Sequence, residues 1–160
     1  MMEVENVNEN KGSILIVEDD VNIRESLSKI LQQEGYDTDV AENGEEAIQK
    51  SRNKFYDLAL LDIKLPDMEG TTLLAKLNET TPKMVKIMVT GYPSIENTME
   101  ALNQGAAAYV TKPVKPAKLL ALIKEKLEEQ CQDEKMTEGK VTDWIKKRAR
   151  KLEDENMKWP

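Results

Sequence analysis

Histidine is absent from the 160-residue chain, cysteine occurs once, at Cys131, and aromatic residues make up 4%. Without histidine, neither a Ser-His nor a Cys-His nucleophile pair can be assembled. A single cysteine forms no intrachain disulfide and offers no zinc cluster, which fits a reducing compartment. No apolar run approaches the ~20 residues that a bilayer-spanning helix needs. Residues 1–12 are polar and acidic, unlike a secretory signal, so the expected location is the cytoplasm. Chemistry in this chain has to come from carboxylate, lysine, hydroxyl or metal.

What is present is charge. Charged residues amount to 33% and hydrophobic ones to 39%, with a formal net charge of -7. These figures describe a soluble globular domain with an aliphatic core, and its acidity argues against a nucleic-acid partner for the bulk of the chain. The charge is uneven. Residues 140–151 hold six basic side chains against Asp143, a local +5 that leaves -12 for the rest. The length allows one domain with a modest appendage.

Along the chain, short apolar runs alternate with helical patterns. Residues 1–12 read as a disordered lead-in. The run 13–17 is an apolar strand ending in Glu18-Asp19-Asp20, and a helical pattern over 21–34 follows, with Asp20 as N-cap and Gly35 as stop. A strand over 36–41 leads to a helix over 45–54. A strand over 57–61 runs into Asp62-Ile63-Lys64-Leu65-Pro66-Asp67-Met68-Glu69-Gly70, and a helix covers 71–79. The fourth strand spans 84–89 and ends at Thr90-Gly91, before a helix capped by Ser94 and stopped by Gly105. The fifth spans 107–111, ends in Lys112-Pro113, and precedes a helix over 115–129.

Five strand-helix pairs in strict alternation predict an α/β fold, a parallel sheet with helices on both faces. In such sheets the ligand site lies beyond the carboxyl ends of the strands. Those ends carry Glu18 and Asp19, Asp62, Thr90 and Lys112. Converging carboxylates without histidine or cysteine form a hard-oxygen site suited to Mg²⁺. Thr90 adds a hydroxyl and Lys112 a compact positive charge. Together these groups suit a phosphoryl group on a carboxylate, with Asp62 as the nucleophile and Mg²⁺ and Lys112 offsetting charge on the phosphoryl oxygens.

The segments Ile14-Leu15-Ile16-Val17-Glu18-Asp19-Asp20, Leu60-Leu61-Asp62 through Gly70, Val89-Thr90-Gly91 and Tyr109-Val110-Thr111-Lys112-Pro113 resemble the signature segments of the receiver domain of two-component response regulators, the CheY-like superfamily. The resemblance covers residues 13–130. It implies a flavodoxin-like (βα)5 sheet of strand order 2-1-3-4-5. It also implies Asp62 as phosphoacceptor, Asp19 as the principal Mg²⁺ carboxylate, Glu18 as an acidic neighbour reaching the metal through water, and the Lys64 main-chain carbonyl as a further ligand. Thr90 and Lys112 are implied to bind the phosphoryl oxygens and Tyr109 to be the aromatic that changes rotamer on activation. A cis bond is implied at Lys112-Pro113. Lys64 and Tyr92, two residues beyond Asp62 and Thr90, flank the path of a hydrolytic water and are expected to set the lifetime of the phosphate.

The implied donor is a sensor histidine kinase or phosphotransfer protein, and the implied output is a surface change read by a downstream protein. Such a chain is a signalling module that catalyses only its own phosphorylation and dephosphorylation. Residues 131–140 read as a linker and 141–160 as a basic amphipathic helical tail, with Val141, Ile145, Ala149 and Leu152 on one face. A tail of this length is expected to be too short for a DNA-binding output domain, and it suits a docked helix, a partner-binding helix, a homodimer contact or attachment to nucleic acid or a membrane surface. Competing classes are an aspartate-nucleophile phosphatase and a flavodoxin-type electron carrier. Lys64 stands where the first usually has a second acid, and Glu18-Asp19-Asp20 would repel the phosphate of the second. A phosphate relay or sink, or a phosphorylation-independent scaffold, stays open at this stage.

Overall fold

Runs of consecutive apolar residues become strands because a sheet covered on both faces buries every side chain along them. In the computed structural model, which describes residues 11–91 and 94–157, this holds for β3 (Leu58–Leu61), for β1 (Ser13–Val17) from Ile14 onward and for β4 (Val85–Thr90) apart from the buried polar Lys86 and Thr90. β3 and β4 are buried at every position, whereas β2 (Asp37–Ala41) and β5 (Ala108–Thr111) are more exposed. The last two lie at the edges of a five-stranded, all-parallel sheet of order β2-β1-β3-β4-β5. That is the strand order expected.

Helices α1 (Val21–Glu34), α2 (Gly44–Asn53), α3 (Gly70–Thr80), α4 (Ile95–Asn103) and α5 (Pro116–Met157) follow the five strands in turn. Alternation along the strands divides the core in two. On one face Leu15, Val17, Ala59, Leu61 and Met88 pack with Ala47 and Ile48 of α2 and Leu73, Leu74 and Leu77 of α3. On the other, Ile14, Ile16, Leu58, Leu60 and Ile87 meet Leu27 and Leu31 of α1 and Leu119 and Ile123 of α5. Fully burying each leucine, isoleucine, valine or methionine among them contributes roughly 1.5–3 kcal/mol.

Caps fix where the helices start and stop. Asp20 accepts from the backbone amides of Asn22 (2.9 Å) and Ile23 (3.2 Å), and Gly35 closes α1 in the left-handed region at φ 104°. The Lys112-Pro113 bond is cis.

The chain divides into two units, Met1–Leu127 and Glu128–Pro160. Two boundaries differ from the sequence expectation. Lys11 is already tied down, its amide donating to the Gly35 carbonyl (3.2 Å), so the part of the lead-in outside the described residues is 1–10. The final helix was expected to end at 129 before a linker, but residues 131–140 are helical. Polarity suggests a linker there, yet the Gln, Glu, Lys and Met of this stretch favour helix, and it holds no proline. Gly139 disfavours it most, by ~1 kcal/mol, and Cys131, Asp133 and Thr137 less so. In the second unit Ile145 and Ala149 are exposed, and the side chains of Val141 and Leu152 lie outside those described. Among the described residues, no helix is long and apolar enough to cross a membrane.

Candidate phosphoacceptor site

The sheet ladder itself delivers the chemistry-bearing residues. The amide of Glu18 donates to the Ala41 carbonyl (3.0 Å), that of Asp62 to Val17 (3.1 Å) and that of Lys112 to Thr90 (2.7 Å). Each bond continues a strand pairing one step past its last paired residue, so the three side chains emerge together at the carboxyl edge. Thr90, at the end of β4, is fully buried, Glu18 is 3% exposed and Asp62 is 7% exposed.

Oxygens of Glu18, Asp19 and Asp62 all lie within 4.8 Å of one another. The Lys112 ammonium reaches between two of them, 2.7 Å from Glu18 Oε2 and 3.4 Å from Asp62 Oδ2. Burial pushes the Glu18 carboxyl up to about 6, against the opposing pull of its Lys112 hydrogen bond. Burial also disfavours the Lys112 ammonium, but the Glu18 hydrogen bond and the two carboxylate charges outweigh it and hold its pKa above the usual lysine value. With three carboxylates against one ammonium, the ionised cluster carries -2, the charge that one divalent cation cancels. Oxygen ligands on a common Mg²⁺ are at most about 4.2 Å apart, so the spacing suits that ion after shifts of a few tenths of an ångström.

Residues that sequence reasoning passed over hold this cluster in place. Arg24, buried on α1, donates from Nη1 to the carbonyl of Glu18 (2.9 Å) and more distantly to that of Asp19 (3.4 Å), while Nη2 reaches Glu42 (3.4 Å). It clamps the backbone of the acidic loop while Glu42 offsets its charge. Asp67 accepts from the amides of Gly44 and Glu45, both at 2.9 Å, and so ties the loop after β3 to the N-terminus of α2. Those amides, that of Gly44 foremost, hold its carboxyl below the usual aspartate value. Gly70 closes the same loop: a Cβ there would collide with the Asp62 carbonyl oxygen and the Ile63 backbone. The loop is thus folded back on Asp62.

Lys64 is exposed and pairs across this loop with Glu69. Tyr109 sits on β5, packed against the core face that includes Met88, its register partner, and its buried hydroxyl has no hydrogen-bond partner among the described residues. Tyr92 lies outside the described residues. The structure therefore brings Glu18, Asp19, Asp62 and Lys112 together and sets Thr90 at the neighbouring strand end.

A groove of about 500 Å³ opens beside Lys112 between α1 and the segment after β5, lined by Asn22, Ile23, Leu27, Ile30, Pro113 and Val114.

Comparison with known proteins points in one direction. The profile of the response regulator receiver domain family matches residues 14–124. A crystal structure of a CheY-like response regulator receiver domain protein from Methanospirillum hungatei JF-1 shares 54% identity at a TM-score of 0.74, covering 76% of this chain and 97% of that one. The transcriptional regulatory protein YkoG of Bacillus subtilis (strain 168) is 38% identical over 73% of this chain, and ZraR of Klebsiella oxytoca is 35% identical over 71%. The chain spans about half the length of YkoG and about a quarter of ZraR, 51% and 26%.

Proposed function

This chain belongs to the response regulator receiver domain family, and from that premise we propose that Asp62 accepts a phosphoryl group from a phosphohistidine. The observation that carries the reading is the buried Asp62 carboxylate, within 3.4 Å of the Lys112 ammonium and beside two further acids at the carboxyl edge of the sheet.

In the step we propose, an Asp62 oxygen attacks phosphorus, the oxygen–phosphorus bond forms as the nitrogen–phosphorus bond breaks, and the imidazole nitrogen leaves with the bonding pair. Lys112 offsets charge on the phosphoryl oxygens, and the Thr90 hydroxyl donates to one of them. Asp19, Asp62, the Lys64 carbonyl and Glu18, through water, are the groups that would hold Mg²⁺. Bound there, the ion supplies the positive charge that lets an anionic phosphoryl group approach an acidic cluster.

The output follows from Thr90 and Tyr109. Drawing Thr90 towards the phosphoryl group favours one pre-existing arrangement of the surface around it. A buried Tyr109 hydroxyl with no partner among the described residues supports that reading, since its present position leaves a donor unsatisfied there. The phosphodonor is a histidine kinase or a histidine phosphotransfer protein, seated on the groove beside Lys112, and a protein partner reads the altered surface. Apart from promoting its own phosphorylation and dephosphorylation, the domain signals.

Amide NMR spectra of the full chain in Mg²⁺ with phosphoramidate, a small nitrogen–phosphorus donor, test the proposal. Resonances around Thr90 and Tyr109 should move in the native chain and stay fixed in Asp62→Asn. Identical movement in both would refute it.

A further inference from the structure

At the opposite end of the sheet, where β3 and β4 begin, the C-terminal ends of α2 and α3 leave a second cavity of about 440 Å³. Tyr56 and Met84, both buried, contribute to its walls, and Phe55 and Pro82 add apolar surface. Phe55, the one phenylalanine of the chain, is 72% exposed. In a chain whose core is aliphatic, the apolar walls and the solvated ring form a ready contact surface.

The charge around this cavity is opposite to that of the protein. Arg52, Lys54 and Lys83 line it and no carboxylate does, although the chain as a whole carries -7. Lys54 is held by Asp37 (3.0 Å) and Asp39 (3.1 Å). Arg52 and Lys83 have no ion pair among the described residues. Helix C-terminal ends ordinarily repel anions, but each carries only about half a charge, which the full charges of Arg52, Lys54 and Lys83 outweigh here, and three nearby carbonyls take side-chain donors. Ser51 donates to the Ile48 carbonyl (2.8 Å), Thr81 to that of Leu77 (2.7 Å), and the Thr81 carbonyl receives the Lys86 ammonium. What remains at the rim is positive charge over an apolar floor.

We propose that this basal pocket docks an acidic peptide segment of a partner protein, anchored by one bulky apolar side chain. The anchor fills the cavity against Phe55, Tyr56 and Met84, and flanking carboxylates meet Arg52 and Lys83. The volume lies in the lower part of the ligand-pocket range, roughly 300–1,000 Å³, which fits a single large side chain better than an extended ligand. The site is at the far edge of the sheet from Asp62 and does not depend on phosphoryl chemistry.

The test is an amide NMR titration of the full chain with a synthetic peptide in which one phenylalanine is flanked by glutamates, and with its lysine-flanked counterpart. The glutamate peptide should shift resonances of residues 51–56 and 80–84 and bind more weakly as salt is added. Phe55→Ser, and separately Arg52→Glu combined with Lys83→Glu, should each weaken it about tenfold. All three positions are exposed, so these variants should keep the fold. Equal binding of the lysine peptide, shifts centred elsewhere, or unchanged affinity in the charge-reversed variant would overturn the proposal. Concentration-dependent broadening of the same resonances without peptide, abolished by Phe55→Ser, would mean that a second copy of the chain takes the site and would overturn it equally.

Discussion

Lys86 should destabilise this protein, and replacing it with methionine should strengthen the fold. It lies on β4, 1% exposed, and its ammonium donates to the Thr81 carbonyl at the end of α3. Burial pushes its pKa down from 10.5 to about 8. That difference corresponds to a cost of roughly 3 kcal/mol for keeping the side chain charged. Methionine has a similar length and no charge, so it recovers most of this cost and gives up one hydrogen bond worth ~1 kcal/mol. The net expectation is a gain of roughly 1–2 kcal/mol at neutral pH.

The sign with pH follows from proton linkage. Between about 8 and 10.5 the unfolded chain keeps a proton on Lys86 that the folded chain has released, so native stability rises relative to the variant as pH rises. The cost is complete below this window and gone above it. Urea denaturation of native chain and Lys86→Met, at neutral pH and again in alkaline buffer, reads both effects. A variant less stable at neutral pH, or an advantage that does not shrink in alkali, would refute the reasoning.

Gly70→Ala drives a methyl group into the Asp62 carbonyl and should cost ~1–3 kcal/mol. It should also slow phosphorylation by roughly tenfold to a hundredfold through displacement of Asp62, measured by denaturation and by labelling with a small phosphodonor. Asp67→Ala removes two acceptors from the start of α2 and should cost ~1–2 kcal/mol. Because the Asp67 carboxyl is held below its usual value, that contribution is complete at neutral pH. It fades as pH falls through the lowered value, so variant and native stabilities should converge in acid. Replacing Lys64 and Tyr92 together with alanine should hasten decay of the phosphorylated form, followed by mass over time, and an unchanged or slower decay would remove these side chains as shields.

The sheet was legible because β1 and β3 are apolar runs and β4 is one but for Lys86, and the cluster was legible because Asp62, Thr90 and Lys112 each stand where a strand stops. Strand order rested on the resemblance, since nothing local distinguishes a central strand's left neighbour from its right. What stayed hidden depends on contacts between residues far apart in the chain. Glu18 and Lys112, 94 positions apart, form the shortest ion pair of the site. Arg24 looked like one polar position on an amphipathic helix, and Asp67 like a turn residue after Pro66. Lys86 interrupts a hydrophobic strand and would ordinarily be assigned to a solvated face, yet both faces here are covered. The helical 131–140 stretch was obscured for a different reason: polarity marks solvent exposure but does not stop a helix.

Whether Asp62 carries the phosphoryl group is tested most directly by intact mass after incubation with acetyl phosphate, with and without Mg²⁺, for the native chain and Asp62→Asn. The account predicts one added phosphoryl group in the native chain, dependent on Mg²⁺ and missing from the variant. No added mass on a folded native chain that binds Mg²⁺, or equal labelling of the variant, would contradict it.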